Sequence, residues 1–530
     1  MTTETKPTEF PLHWENLPDA NLTWRFDPMH TPDVATPLSF DLYMEPFIRG
    51  FGMLRLCQQN YYVYMHQPAM PPSAPGPVPI DAIHAGARRW REEIIPEVRG
   101  FDEHYLTTDF DSMSVEELAA ELDRLVEVRL RCGQLHTIAN LPWWMGMMNL
   151  IETVRELTGG DDLSALRLVQ GYGNKSVEAG ERLWRLSRLA GSIPEVTDTL
   201  LTLTNAPAEK QLAALADLPS AGPFVQELRG FLEEFGWRSA MFEFSAPTWF
   251  EDPAVPLDQI RAFLAMPDYD FPAEQRKQTE ERERYVAETM ARLEPDQRPQ
   301  LQAAIDAAVD VAPILEDHNY YIDQRVGVLP RRLVLAAGRR LASAGVLRDA
   351  AAVFYVRREE LRSALLGSHD GLTALTEERR EEMAAWAQFT PPQTVGAPPQ
   401  VDASPQDEPP DRFWGTHKLR SDRPGELKGN GASAGVGRGP ARVLATLSEA
   451  GRFQPGDVLV TRTTMPPWTP LFAVASAVVT ETGGVLCHAA VTAREYGLPA
   501  VLCVESATRL IRDGQPIEVD GSNGTVRILT

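Results

Sequence analysis

Cysteine is scarce: Cys57, Cys132, Cys487 and Cys503 are widely spaced and form no CxxC pair. That argues against a zinc ribbon and a disulfide framework and fits a reducing, cytoplasmic setting. Positive charge is short too. Lys and Arg total 51 against 74 Asp and Glu, a net −23 with no basic stripe to offset it, so no nucleic-acid partner is expected. The apolar run Leu471 to Val479 has about half the length a membrane span requires. The opening MTTETKPTEFPLHW lacks the basic start and apolar core of a signal peptide. The expectation is a multidomain protein without a membrane partner.

What is present is enough hydrophobic material, 43% of 530 residues, for several cores. The stretch PPQTVGAPPQVDASPQDEPP, Pro391 to Pro410, is rich in Pro and reads as an extended, semi-rigid linker. Before it the periodicity is helical: Val115 to Leu135, Val177 to Leu189, Gln211 to Leu232, Glu280 to Leu293 and Gln300 to Leu315. AAVFYV, within Asp349 to Leu366, reads as a short extended piece before a helix. After the linker, short β-rich runs at Ala441 to Leu444, Asp457 to Thr461, Ala477 to Thr480, Ala500 to Val504, Ile517 to Val519 and Thr525 to Leu529 alternate with two helical stretches. The fold class is thus multidomain: a mainly α-helical domain at 1–390, a Pro-rich linker at 391–414 and a C-terminal α/β module at 415–530.

The segment AVVTETGGVLCHAAVTAREYGLPAVLCV, Ala477 to Val504, carries the chemistry. A buried strand runs into Gly483-Gly484, a helix follows from about His488, and Gly497 with Pro499 ends it. The glycine pair lets backbone N–H groups approach an anion, and a helix N-terminus stabilises negative charge. A neutral imidazole there is a competent nucleophile. These properties suit a histidine that is phosphorylated and dephosphorylated. They equally suit a core or capping histidine beside a tight turn.

TETGGVLCHAAVTAREYGLPAV resembles the swivelling phosphohistidine domain of the PEP-utilising enzymes, and GNGASAGVGRGPARVL, GDVLVTRTTMPPWTPLF and DGQPIEVDGSNGTVRIL resemble its flanking blocks. The resemblance implies that His488 is the phosphorylated residue. Thr482, Gly483, Gly484 and Cys487 match its phosphate-side neighbours, and Arg494 matches the helix arginine. Glu481 stands where Asp is commoner. Upstream, FGWRSAMFEFSAPTWFEDP (Phe235 to Pro253) is similar to a block of the rifampin and phenylphosphate enzymes, with Trp237 where that block has His. EDHNYYIDQRVGVLPRRLVLAAGRRLASAGVL and WRFDPMHTPDVATPLSF are similar to their helical region. No glycine-rich ATP-grasp loop is legible; GYGNKS (Gly171 to Ser176) fails the P-loop spacing.

The resemblance therefore implies a dikinase-type phosphotransferase subunit, like the His-bearing subunit of phenylphosphate synthase. His488 would be loaded from ATP, with Mg2+, by a separate ATP-grasp subunit. It would deliver to a small aromatic hydroxyl, a phenol or alkylphenol, as in phenol degradation. A noncatalytic phosphocarrier and a rifamycin-type antibiotic phosphotransferase component are the alternatives. The expected acceptor pocket draws on Trp144, Glu243, Asp317, His318 and Tyr321, with Tyr61 to Met65 and Leu141 to Met148 as aromatic and Met surface. Glu316-Asp317-His318 could position and deprotonate a hydroxyl. No metal ligands are legible, and His30, His66 and His136 read as structural.

Overall fold

A computed structural model describes residues 9–68, 79–204, 206–239, 243–398, 415 and 419–529. Its helical part is organised about one long helix, Val115–Thr158. The start is a capping box, in which Ser114 Oγ accepts from Glu117 N and Ser114 N donates to Glu117, and Gly159 closes the end in the left-handed region at φ 70°. The helical reading of Val115 to Leu135 was therefore too short. The helix continues through Pro142, whose ring lies against Gly86: a Cβ on Gly86 would come within 2.3 Å of the Pro142 side chain. A second close crossing joins it to helix Glu45–Gly50. There a Cβ on Gly133 would sit 1.9 Å from the Phe47 carbonyl oxygen.

Helices Lys175–Gly191, Phe271–Ala291 and Arg298–Val311 fall near their expected places, while Gln211 to Leu232 divides into Ala208–Ala216 and Gly222–Phe235. Following Arg298–Val311, the short helix Ile314–His318 passes directly into a π-helical stretch, Asn319–Arg325. The wider turn shifts the faces on which later side chains emerge, a feature common at functional sites. AAVFYV is not extended. It forms a 3-10 turn, Ala350–Tyr355, because the Asp349 carboxylate caps Ala352 N at 2.9 Å.

A small sheet also stands in the helical part, with strands β1 (Thr23–Phe26), β2 (Arg55–Gln59), β3 (Tyr62–His66) and β4 (Thr394–Gly396) in the order β2-β3-β1-β4. It corrects two expectations. Thr394–Gly396 of the Pro-rich stretch is a strand paired with β1, because Val395 buries among Trp24, Tyr62 and Tyr64; residues 399–414 lie outside the described residues. Tyr62 and Tyr64 fill this core, and their hydroxyls donate to Trp386, Phe389 and Pro392 carbonyls.

The C-terminal module holds β5 (Glu426–Lys428), β6 (Asn430–Ser433), β7 (Val436–Val443), β8 (Val458–Thr461), β9 (Ala477–Thr480), β10 (Ala500–Leu502), β11 (Pro516–Asp520) and β12 (Thr525–Ile528). They form one sheet in the order β5-β12-β11-β7-β8-β9-β10-β6, parallel from β7 to β10 and antiparallel at both flanks. Alternation along β8 and β9 serves two cores. Val458, Val460, Ala477 and Val479 face one, while Leu459 and Val478 join the apolar cluster that continues into the helical part. The two modules are thus packed together through apolar surface. Among the described residues no helix is long and apolar enough to cross a membrane.

Replacing Gly133 by Ala should destabilise the protein by about 1–3 kcal/mol, the usual penalty for overpacking a closed contact. The check is the urea unfolding midpoint, with Gly52→Ala, which meets nothing within 4 Å, reporting the separate cost of a positive-φ glycine.

Candidate functional site

Helix His488–Glu495 begins straight after the glycine turn, with Gly483 at φ 101° and Gly484 O accepting from Cys487 N. It ends as its sequence indicates: Gly497 adopts φ 61° and Leu498 N reaches back to Ala493 O. His488 therefore projects from the first turn toward the helical part. Its side chain is only 12% exposed, and Nδ1 lies 2.7 Å from Oε1 of Glu316, which is fully buried. Glu316 is itself held, since Ser176 Oγ donates to its other oxygen at 2.7 Å. A carboxylate on Nδ1 fixes the tautomer with the proton there. The Nε2 lone pair is left unused, and that atom is buried with no hydrogen-bond partner.

The modules are joined a second time behind the helix. The Glu495 carboxylate, buried and raised in pKa by desolvation, accepts from Gly171 N at 3.0 Å and Gly173 N at 2.9 Å. Both glycines have positive φ, so GYGNKS is an anion-accepting turn whose anion is a side chain of the other module. Tyr496 packs edge-on to Phe271 and over Gly180, where a Cβ would come within 2.3 Å of its hydroxyl.

The remaining predicted residues take varied places. Thr482 Oγ1 donates to the Arg462 carbonyl at 3.2 Å. Burial pushes the Cys487 thiol up to about 11, so it is a neutral neighbour. The Arg494 guanidinium, expected at the phosphate, donates through Nη1 to the Ala432 and Val485 carbonyls and so braces the glycine loop. Asp317 accepts from Lys175 N at 2.9 Å, is raised to about 6 by burial, and lines a cleft of about 720 Å³ with Lys175, Tyr172 and Phe271.

The other members of the expected acceptor pocket are dispersed. Glu243 is a staple for the N-terminal segment, accepting from Thr36, Ser39 and Ser245. Tyr321 packs edge-on to Trp90, with its hydroxyl near Arg99. Trp144 is half-buried beside Trp143 on the long helix.

His318 is not alone. Its Nδ1 lies 2.9 Å from the Ile314 carbonyl, and burial pushes its pKa down to about 4. It stands edge-on to His136, and both Nε2 atoms approach Asp323 Oδ2, at 3.5 and 3.8 Å. These three residues form a group with ligand atoms within 4.8 Å of one another, able in principle to hold a metal ion. No local signal could have found it, because His136 and Asp323 lie on elements distant in the chain.

Two parts of the chain match known family models. Residues 453–524, which include His488, match the model of the PEP-utilising enzyme mobile domain, and residues 136–315 match that of the rifampicin phosphotransferase fourth domain. The chain belongs to the PEP-utilising enzyme family. It is 30% identical to a chondramide synthase of Chondromyces crocatus, over 99% of this chain and 14% of that protein. It is 31% identical to a rifampicin phosphotransferase of Streptomyces sviceus over 73% of this chain and 43% of the relative. For the prodigiosin synthesizing transferase PigC of Serratia marcescens the figures are 26%, 80% and 47%. The chain spans less than half the length of each of these relatives.

In this family member the docked arrangement should depend on Glu495. Glu495→Ala should speed hydrogen exchange at the Gly171 and Gly173 amides by about tenfold or more, as expected when local protection is lost. Exchange in β8 and β9 should stay unchanged, and mass spectrometry of peptides from the two regions reads both.

Proposed function

We propose that this chain carries a phosphoryl group on His488 Nε2 and delivers it to a hydroxyl of a small aromatic acceptor, a phenol or alkylphenol. Loading is assigned to an ATP-grasp protein outside these 530 residues, with dikinase chemistry. The carrying observation is the state of one imidazole: Nδ1 engaged by Glu316 of the other module, Nε2 buried and without a hydrogen-bond partner. In the delivery step the P–Nε2 bond breaks and its electron pair returns to nitrogen. An O–P bond forms and the hydroxyl proton departs. Asp317, poised near neutrality in the wall of the cleft, is the assigned proton acceptor for a ligand seated there.

Magnesium belongs with ATP on the loading protein. The nitrogen-rich group His136, His318 and Asp323 does not suit it, since magnesium prefers oxygen ligands in an octahedron. The match of residues 136–315 to a rifampicin phosphotransferase domain favours a second reading, in which the acceptor is an antibiotic hydroxyl of the rifamycin type.

The test combines the chain, a candidate ATP-grasp protein, labelled ATP, a panel of phenols and a rifamycin. Label should appear on His488 as an acid-labile, base-resistant phosphoramidate and then on one acceptor. The chain alone should leave ATP intact. Stable label on His488→Ala, or ATP hydrolysis by the isolated chain, contradicts the proposal.

A further inference from the structure

Among the described residues Arg238 stands out as a buried charged group. It is 1% exposed, yet Nε, Nη1 and Nη2 all lack a hydrogen-bond partner. Buried polar groups in folded proteins are nearly always paired, and a guanidinium has five N–H donors and no means of neutralising itself at ordinary pH. Aromatic rings surround it: Phe235 at 5.2 Å, Trp249 at 5.7 Å and Tyr320 at 5.7 Å from centroid to Cζ. They wall off water without supplying an acceptor for the N–H fork.

Its surroundings belong to the site. Arg238 lies over the ring of Tyr320, four residues past Glu316, the residue bonded to His488, and the Lys175 ammonium lies over the same ring at 5.2 Å. The Tyr496 hydroxyl and His488 Nε2 are likewise buried and unpartnered. Neighbouring cations are committed elsewhere. Arg325 pairs with Asp102 at 2.9 Å, Lys175 with Glu178 at 2.8 Å, and Arg494 braces carbonyls.

We propose that Arg238 is an oxyanion-binding residue that receives the phosphoryl group carried by His488, or the phosphate of the ester formed from it. The role in transfer rests on the function proposed above; the anion site itself does not. A guanidinium presents paired N–H donors that match two oxygens of a phosphoryl group, and a dry setting strengthens that contact. This charge is supplied from the helical part, whose Phe235, Trp249 and Tyr320 surround it.

Two measurements on the whole chain test it. The first titrates inorganic phosphate at constant ionic strength by calorimetry. Wild type and His488→Ala should bind saturably. Arg238→Met should lose affinity by about tenfold or more, the scale of a charge-assisted contact. Arg238→Lys, which keeps the charge without the fork, guards against a folding defect and should also bind more weakly. The second uses phosphoramidate, which phosphorylates histidine without ATP, and should label His488 several-fold more slowly in the Arg238 variants. Absence of saturable phosphate binding in wild type overturns the anion site, as does unchanged affinity in folded Arg238→Met. If that variant does not fold, unchanged affinity in Arg238→Lys overturns it. Phosphate binding that needs Arg238, without any label on His488, supports the anion site and overturns the carrier reading instead.

Discussion

One hydrogen bond, from His488 Nδ1 to the fully buried Glu316 carboxylate, ties the chemistry of this protein to its architecture. A carboxylate removed from water must be compensated, and here the partners are an imidazole from one module and a hydroxyl, Ser176, from the other. Helix Lys175–Gly191 presents Ser176 because Asn174 caps its first turn through Ser176 N and Val177 N. The same loop turns its glycine amides toward Glu495. Two buried carboxylates, one from each module, are thus each satisfied by groups of the other. An apolar cluster shared by both modules excludes water from the seam.

A chain of net charge −23 that carries a phosphoryl group, as proposed, has to attract it against its own charge. Surface charge would repel it, so attraction has to be local. In the proposed function, backbone N–H groups of the glycine turn, a helix start and the guanidinium of Arg238 would supply it, and each is short-ranged. Arg462, which reaches Asp33 across the seam at 2.7 Å, is substantially exposed and adds little.

Much of the C-terminal module was legible. Buried parallel strands read as continuous apolar runs, Gly483 and Gly497 mark positive-φ turns, and the helix from His488 lies between them. β6 was missed because NGAS has no apolar run to signal a strand. Helical periodicity located most helices but could not say what each face meets. Trp144 and Tyr321 look alike as pocket candidates in sequence, and only packing sends them to other contacts. The small sheet was hidden because its pairing joins Trp24 to Val395. Glu316 was visible as one of three polar residues, but its partner is 172 positions away. Arg238 falls inside the block FGWRSAMFEFSAPTWFEDP, but what sets it apart, the absence of hydrogen-bond partners, is a property of the fold.

Glu316 holds Nδ1 and so, in the proposed chemistry, leaves Nε2 to react. This is tested most directly by identifying which nitrogen is modified after phosphorylating the intact chain with phosphoramidate under basic conditions. Two-dimensional 15N NMR or isomer-selective digestion distinguishes the two phosphohistidines. The account predicts the Nε2 isomer at His488 in wild type, with selectivity weakened in Glu316→Ala. Modification of wild type at Nδ1, or at another histidine, would contradict it.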